Sequence, residues 1–190
     1  LEKCEWAVQE TDWLGYWLTP AGLKPWRQKI EAILHLECPQ TVKQVRSFLG
    51  AVTYYHDMFP KCSHILTPLT ELTGKIPFKW TEHHQNAFDE MKALIAKDVL
   101  VQYPDHNLPF HVYTDASNLQ LGSVIKQNNA PVAFYSRKLN AAQINYSTGE
   151  KELLSIVETF KEFHTMLYGC HALHVHTDHK NLTFAALNSQ

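Results

Sequence analysis

Arginine is scarce in this 190-residue chain: only Arg27, Arg46 and Arg137 occur, beside twelve histidines. With lysine the basic total is 17 against 19 acidic residues, a formal net charge of −2. A basic coat for nucleic acid is therefore excluded, although a local basic groove is not. Cysteine is sparse too. Cys4, Cys38, Cys62 and Cys170 form no CxxC pair, which excludes the common zinc ribbons. Four scattered cysteines read as free thiols in a reducing compartment. No apolar run approaches a membrane span and no signal peptide is read at the start, so no membrane partner is expected. GxGxxG, P-loop and GxSxG motifs are missing, which leaves nucleotide-binding and serine-hydrolase readings without support. Ser117 and Ser147 have no evident triad partners. Repeats and low-complexity stretches are missing as well. Leu1 is not methionine, and the last residues follow an apolar stretch, so both ends read as cut from something longer.

What is present is a folding composition, 45% hydrophobic and 19% charged. Trp6, Val8, Trp13, Leu14, Tyr16 and Leu18 read as two short strands, closed by a turn at Thr19-Pro20-Ala21-Gly22. Residues 22 to 97 read as helical. Pro25 opens a first helix with Ile30, Ile33 and Leu34 on its apolar face. Thr41 caps a second, whose apolar residues run from Val42 to Tyr55 and which Pro60 stops. A third spans 63 to 73 with Pro68 as a weak point. Thr81 caps a fourth, with Ala87, Met91, Leu94 and Ile95 inward. From about residue 99 the period changes. Phe110, Val112 and Thr114 alternate with His111, Tyr113 and Asp115, which predicts a strand. Leu121 to Lys126 and Val132 to Ser136 are two more, joined at Asn128-Asn129. A long helix follows from Ser147 with a stripe of Leu153, Ile156, Val157, Phe160, Phe163 and Leu167. Gly169 ends it, and Leu173, Val175 and Thr177 alternate as a fourth strand.

Three carboxylates stand out by position. Asp115 and Asp178 end two strands, and Glu152 lies in the first turns of the long helix. If the two strands are adjacent and parallel, both aspartates emerge at one sheet end, where ligand sites of open α/β sheets lie. Clustered carboxylates repel and call for cations, and Mg²⁺ favours such oxygen donors. Two ions roughly 4 Å apart can activate a water and stabilise a leaving oxygen. A competing arrangement is zinc at His174, His176 and His179, next to Asp178. The aromatic start could stack on nucleic acid.

The chain resembles the C-terminal part of the reverse transcriptase in gypsy-type LTR retrotransposon polyproteins. Trp13-Leu14-Gly15-Tyr16 resembles the end of the palm with its primer grip. The run Thr41 to Gly50, then Tyr54-Tyr55, Phe59-Pro60 and Pro68 to Leu72, is similar to the thumb, and Phe78-Lys79-Trp80-Thr81 to the lead into its last helix. Thr114-Asp115-Ala116-Ser117, Tyr135 to Leu139, Glu150 to Leu154 and Thr177 to Leu182 resemble the ribonuclease H domain in order and spacing.

The resemblance implies an α+β / α/β chain with three parts: the palm end over 1–21, a helical thumb over 22–100, and an incomplete ribonuclease H-like mixed sheet with helices over 101–190. It implies hydrolysis of RNA in an RNA–DNA hybrid, coupled to RNA-directed DNA synthesis. Asp115, Glu152 and Asp178 match three of four metal-binding carboxylates, with Glu152 preferred to Glu150 because it directly precedes the leucine. They would hold two Mg²⁺ ions, for which Mn²⁺ substitutes. Asp115 would bridge the ions, Glu152 serve the leaving side and Asp178 the water. The fourth carboxylate falls downstream of Gln190 and the polymerase aspartates upstream of Leu1. Nucleic-acid contacts are implied at Trp13, Gly15, Tyr16, Lys43, Arg46, Ser117, Arg137, Lys138 and His179. Implied partners are the hybrid, a template–primer duplex, the rest of the Pol polyprotein and a second copy of the chain. The implied location is intracellular, in a cytoplasmic particle and the nucleus. His56 stands where the family commonly has Arg, and basic residues are usual near Cys62 and His164. Such losses weaken phosphate contacts. The rival reading is an inert nucleic-acid-binding or subunit-interaction module from a degenerate or truncated copy.

Overall fold

A computed structural model of the chain describes residues 6–75, 77–179 and 182. The first element is a small antiparallel sheet of β1 (Thr11–Trp13), β2 (Tyr16–Thr19) and β3 (Gly22–Pro25). Leu14 and Gly15 both take positive φ, +48° and +82°, which closes the β1–β2 turn. Two expectations change here. Trp6 and Val8 lie outside the strands. Residues 22 to 25 are a strand instead of the start of the helical region, because Leu23 pairs with Leu18 and exchanges two backbone hydrogen bonds with Val101, 2.8 and 3.0 Å. Pro25 therefore ends a strand, and α1 (Arg27–Leu34) begins two residues later.

The helices then follow the apolar periods. In α2 (Val42–Thr53) the Thr41 hydroxyl accepts the Gln44 N–H at 3.3 Å, and Val45, Phe48 and Val52 are buried. α3 (Cys62–Glu71) keeps Pro68 inside it, buried. α4 (Glu82–Ile95) starts at Thr81 in a capping box, with His84 in the place usually taken by Glu or Gln. Their inner faces, with Tyr55, Met58 and Phe59, form one core that runs from Ile33 to Val101. Three cysteines lie among the described residues, all free. Burial pushes the Cys62 thiol up to about 12, which keeps it protonated and inert.

The second sheet has the order β6-β5-β4-β7. β4 (Phe110–Ala116), β5 (Gln120–Gln127) and β6 (Ala130–Lys138) are antiparallel neighbours. Asn128 and Asn129 both take the left-handed conformation at the β5–β6 turn, φ +49° and +64°. β7 (Leu173–His176) lies parallel to β4, with Phe110 opposite Leu173 and Tyr113 opposite His176. The strand stops one residue short of Thr177. Between β6 and β7 come a 3₁₀ turn (Gln143–Asn145), α5 (Thr148–Glu162) and α6 (His164–Leu167).

The stripe expected for α5 is only partly the buried one. Lys151, Glu152, Ser155 and Thr159 face the sheet and are buried, whereas Leu153 and Val157 are exposed. The reason is hydrogen bonding. Ser155 Oγ donates to Gly122 O at 3.1 Å, and Thr159 Oγ1 donates to Ser123 Oγ at 2.8 Å. Phe160 and Phe163 pack at the other end of the helix, against cores centred on Phe110, Val112, Ile125 and Leu121. The helical core meets this sheet along β6. Phe134 N–H donates to Asp57 O at 2.8 Å, and the Ser63 N–H to Ser136 Oγ at 2.9 Å. Lys138 pairs with Glu71 at 2.9 Å.

Gly22 is the point where this arrangement tolerates least. Its φ is +143°, and a Cβ there would lie 2.3 Å from the Val101 carbonyl oxygen. Gly50, on the exposed side of α2, has open space around it. In urea denaturation, Gly22→Ala is expected to cost about 2 kcal/mol or more, since strain and clash add. Gly50→Ala is expected to gain about 0.5–1 kcal/mol through helix propensity. Equal effects of the two substitutions would contradict the role given to the β3–Val101 bridge.

Candidate active site

Because β4 and β7 are adjacent and parallel, their C-terminal ends lie side by side. Asp115 is the penultimate residue of β4, and Asp178 follows β7 by two residues. Glu152 reaches the same end from α5. Its Oε1 accepts the Ala116 N–H at 3.1 Å, and the residue is 3% exposed. Ser155, one turn further along, donates to Asp115 O at 3.4 Å. Buried Lys151 bonds Asn118 Oδ1 at 3.2 Å. The three carboxylates singled out from the sequence thus share one corner of the sheet.

Their electrostatics follow from this placement. Burial raises the Glu152 carboxyl above its ordinary range. The Ala116 N–H opposes the shift, the charges of Asp178 and Asp115 add to it, and His179 opposes it. Glu152 Oε2 is buried with no hydrogen-bond partner among the described residues. Glu150 is different: it is occupied in the α5 capping box, where the Ser147 hydroxyl and N–H hold its carboxyl below the usual range. An orphaned buried carboxylate oxygen beside two more carboxylates suits a hard divalent cation with oxygen ligands. Among the described residues no group of three or more His, Cys, Asp or Glu side chains stands close enough to hold a metal ion as it is.

Asp115 also lines a cavity of about 250 Å³ with Ser117, Gln120, Tyr135, Ser136 and, from the helical part, Pro60 and Lys61. Lys61 was not singled out from the sequence. It holds a left-handed position before α3, φ +59°, and its place beside the sheet depends on packing that no local pattern reveals.

The implied nucleic-acid residues fall into two groups. Trp13 is exposed at the end of β1, and Lys43 and Arg46 are exposed on α2, where Arg46 donates to Thr73 O at 2.9 Å. Gly15 and Tyr16 are held against the turn that follows α2: Tyr55 donates to Gly15 O at 2.6 Å, and Tyr16 to Tyr54 O at 3.2 Å. Burial, then the Asp57 charge, raises the Tyr16 phenol. Near the carboxylates, Ser117 Oγ accepts the N–H groups of Leu119 and Gln120. Arg137 is tied to Tyr135, Gln143 and Glu158, and Lys138 to Glu71. These two cations neutralise internal carboxylates first.

The zinc arrangement of His174, His176 and His179 does not form. His174 and His176 stack on His111 across β4, at 5.0 and 5.3 Å between ring centres. His179 instead turns to the first turn of α5 and packs on Gly149. The strand period that aligns 174 with 176 no longer applies once β7 has ended.

Comparison with known proteins gives a consistent result. The RNase H-like domain found in reverse transcriptase matches residues 80–177. The retrovirus-related Pol polyprotein from transposon 297 of Drosophila melanogaster is 41% identical over 96% of this chain and 17% of its own length. That from transposon gypsy of the same fly is 34% identical over 97% and 19%. The chain thus spans about a fifth or less of these relatives. A foamy viral protease-reverse transcriptase, solved in complex with RNA/DNA hybrid, superposes with a TM-score of 0.82 at 20% identity. That match covers 98% of this chain and 26% of the other, and shows the shared fold.

The raised Glu152 carboxyl has a pH consequence in the metal-free protein. A carboxyl raised on folding favours the native state below its unfolded value, near 4.5, and loses that contribution as pH rises through the folded value. Glu152→Gln removes the charge and keeps an acceptor for Ala116. In EDTA, its thermal midpoint is expected to exceed that of the unmodified chain at pH 7, with the gap closing toward pH 4. A gap independent of pH would show that burial of charge is not the cause.

Proposed function

This chain belongs to the family of RNase H-like domains found in reverse transcriptases, and from that membership we propose that its carboxylate corner serves hydrolysis of the RNA strand in an RNA–DNA hybrid. The observation that carries the reading is the orphaned, buried Glu152 Oε2 at the sheet end shared by Asp115 and Asp178. Asp115, Glu152 and Asp178 would hold two Mg²⁺ ions or Mn²⁺ in their place. When bound, such ions lower the pKa of a water and neutralise charge on the leaving oxygen. In this reading Asp115 would serve both ions, Glu152 the one on the leaving side and Asp178 the one on the water side. Glu152 is fixed by Ala116 N–H, so it needs little reorganisation to accept a cation. Lys61 and Ser117, on the cavity with Asp115, would meet the phosphate backbone in this reading.

The helical part would hold the duplex. The exposed edge of α2 at Ser47 and Gly50, with Tyr54 just past its end, lines a cavity of about 720 Å³ with Leu14 and Gly15. Lys43 and Arg46 lie on the same helix. Small side chains and a few cations suit contact with backbone and shape, with little reading of bases. The parts proposed are 1–21, 22–100 and 101–190; distinct cores on either side of residue 101 favour the second break, whereas Tyr16 and Leu23 of the first sheet pack on the helical core. The rest of a Pol polyprotein, a second copy of the chain, and an intracellular location in a cytoplasmic particle and the nucleus belong to the same proposal. An inert nucleic-acid-binding or subunit-interaction module is the second reading; the internal pairing of Arg137 and Lys138, which occupies two of the implied phosphate contacts, favours its subunit-interaction form.

The test is a labelled RNA–DNA hybrid incubated with the chain, Mg²⁺ or Mn²⁺, and an Asp115→Asn control. With three of the four carboxylates that the resemblance implies, cleavage is expected to be poor or nil. Hybrid binding should be weak and fall steeply with salt. Mn²⁺ should tighten it for the unmodified chain and not for the control. Robust cleavage that the control lacks would show that three carboxylates suffice. No binding at low salt would remove the nucleic-acid reading altogether.

A further inference from the structure

Gly149 is the second residue of α5, a position where glycine is among the poorest helix formers. Its φ is not in the left-handed region, so the backbone does not require glycine there. The space does. A Cβ at 149 would lie 3.2 Å from Cε1 and 3.3 Å from Nε2 of His179. The imidazole therefore fills the notch left by the missing side chain. His179 directly follows Asp178, and its N–H donates to Thr177 Oγ1 at 3.2 Å. Its carbonyl accepts the Leu182 N–H at 2.9 Å. Among the described residues, hydrogen bonds give 177–179 no other tie to α5. β7 is a short edge strand that ends at His176, so the ladder does not hold Asp178 in place either.

We propose that Gly149 and His179 are a positioning pair: the imidazole seated in the Gly149 notch sets how closely Asp178 stands to Glu152, and so sets the affinity of the corner for a divalent cation. The inference rests on the proposed function of that corner. It assigns a role to a glycine that carries no ligand atom and to a histidine outside the three carboxylates. It also accounts for the departure of His179 from the strand face of His174 and His176. A methyl group at 149 would push the ring by a few tenths of an ångström, and a branched side chain would expel it.

The experiment uses the full chain with Mn²⁺ alone, without nucleic acid. Free Mn²⁺ is followed by electron paramagnetic resonance, and each variant's thermal midpoint is measured in EDTA. Gly149→Ala should keep or raise the midpoint through helix propensity, yet weaken Mn²⁺ binding about threefold. Gly149→Val and His179→Ala should weaken it about tenfold, the scale typical of residues that orient metal ligands. In the Gly149→Ala/His179→Ala double variant the losses should not add, because both changes break one contact. Unaltered affinity in the single variants, or additive losses, would overturn the inference while leaving the carboxylate site standing. If the unmodified chain shows no Mn²⁺ binding that Asp115→Asn removes, the carboxylate site falls first and the positioning pair with it.

Discussion

The hydrogen bond from Ala116 N–H to Glu152 is the constraint around which the corner is built. It fixes the first turns of α5 to the end of β4, and its meaning depends on β7 lying parallel beside β4. With β7 antiparallel, Asp178 would leave at the opposite end of the sheet. With α5 one turn out of place, Thr148 or Ile156 would stand where Glu152 does, while Glu150, two residues away on another side of the helix, is engaged by Ser147. The rest of the second sheet serves to hold this geometry. Ser155 and Thr159 continue the attachment along β4 and β5, and the Phe110 and Leu121 cores close around it.

The attachment has a cost that apolar packing would avoid. Burying a carboxylate with one oxygen unpaired is unfavourable by itself. The structure offsets part of it with the Ala116 N–H and adds to it with two further carboxylates. A site that is strained when empty and relieved by cations is consistent with selection for function over stability. The scarcity of arginine fits the same economy. Arg137 pairs with Glu158, and Lys138 pairs with Glu71 across the joint with α3, so both are engaged within the molecule before they meet any phosphate.

Much of this was legible in the sequence where the signal is local. Thr41, Thr81 and Ser147 announce three helices, and Phe110, Val112 and Thr114 announce β4, because caps and strand alternation need only near neighbours. Two parts were not legible. Residues 22–25 pair with β2 and only Leu23 bridges to Val101, far along the chain, and a proline beside a short run reads more naturally as a helix start. The inner face of α5 is polar, so hydrophobicity points to Leu153 and Val157, which are exposed. The carboxylate corner lay between these cases. Its residues could be named, but their meeting depended on a parallel pairing that the residues themselves do not state. Lys61 and the Gly149 notch carried no signal at all, since both are products of tertiary approach.

The central claim is that Asp115, Glu152 and Asp178 form a cation site. Crystals of the chain soaked in Mn²⁺ test it most directly, through anomalous scattering from the metal. The account expects a peak within coordination distance of Glu152 Oε2 and at least one of the two aspartates, and no such peak in Glu152→Gln crystals. Peaks confined to other positions, such as the His111, His174 and His176 stack, with the carboxylate corner empty, would contradict it.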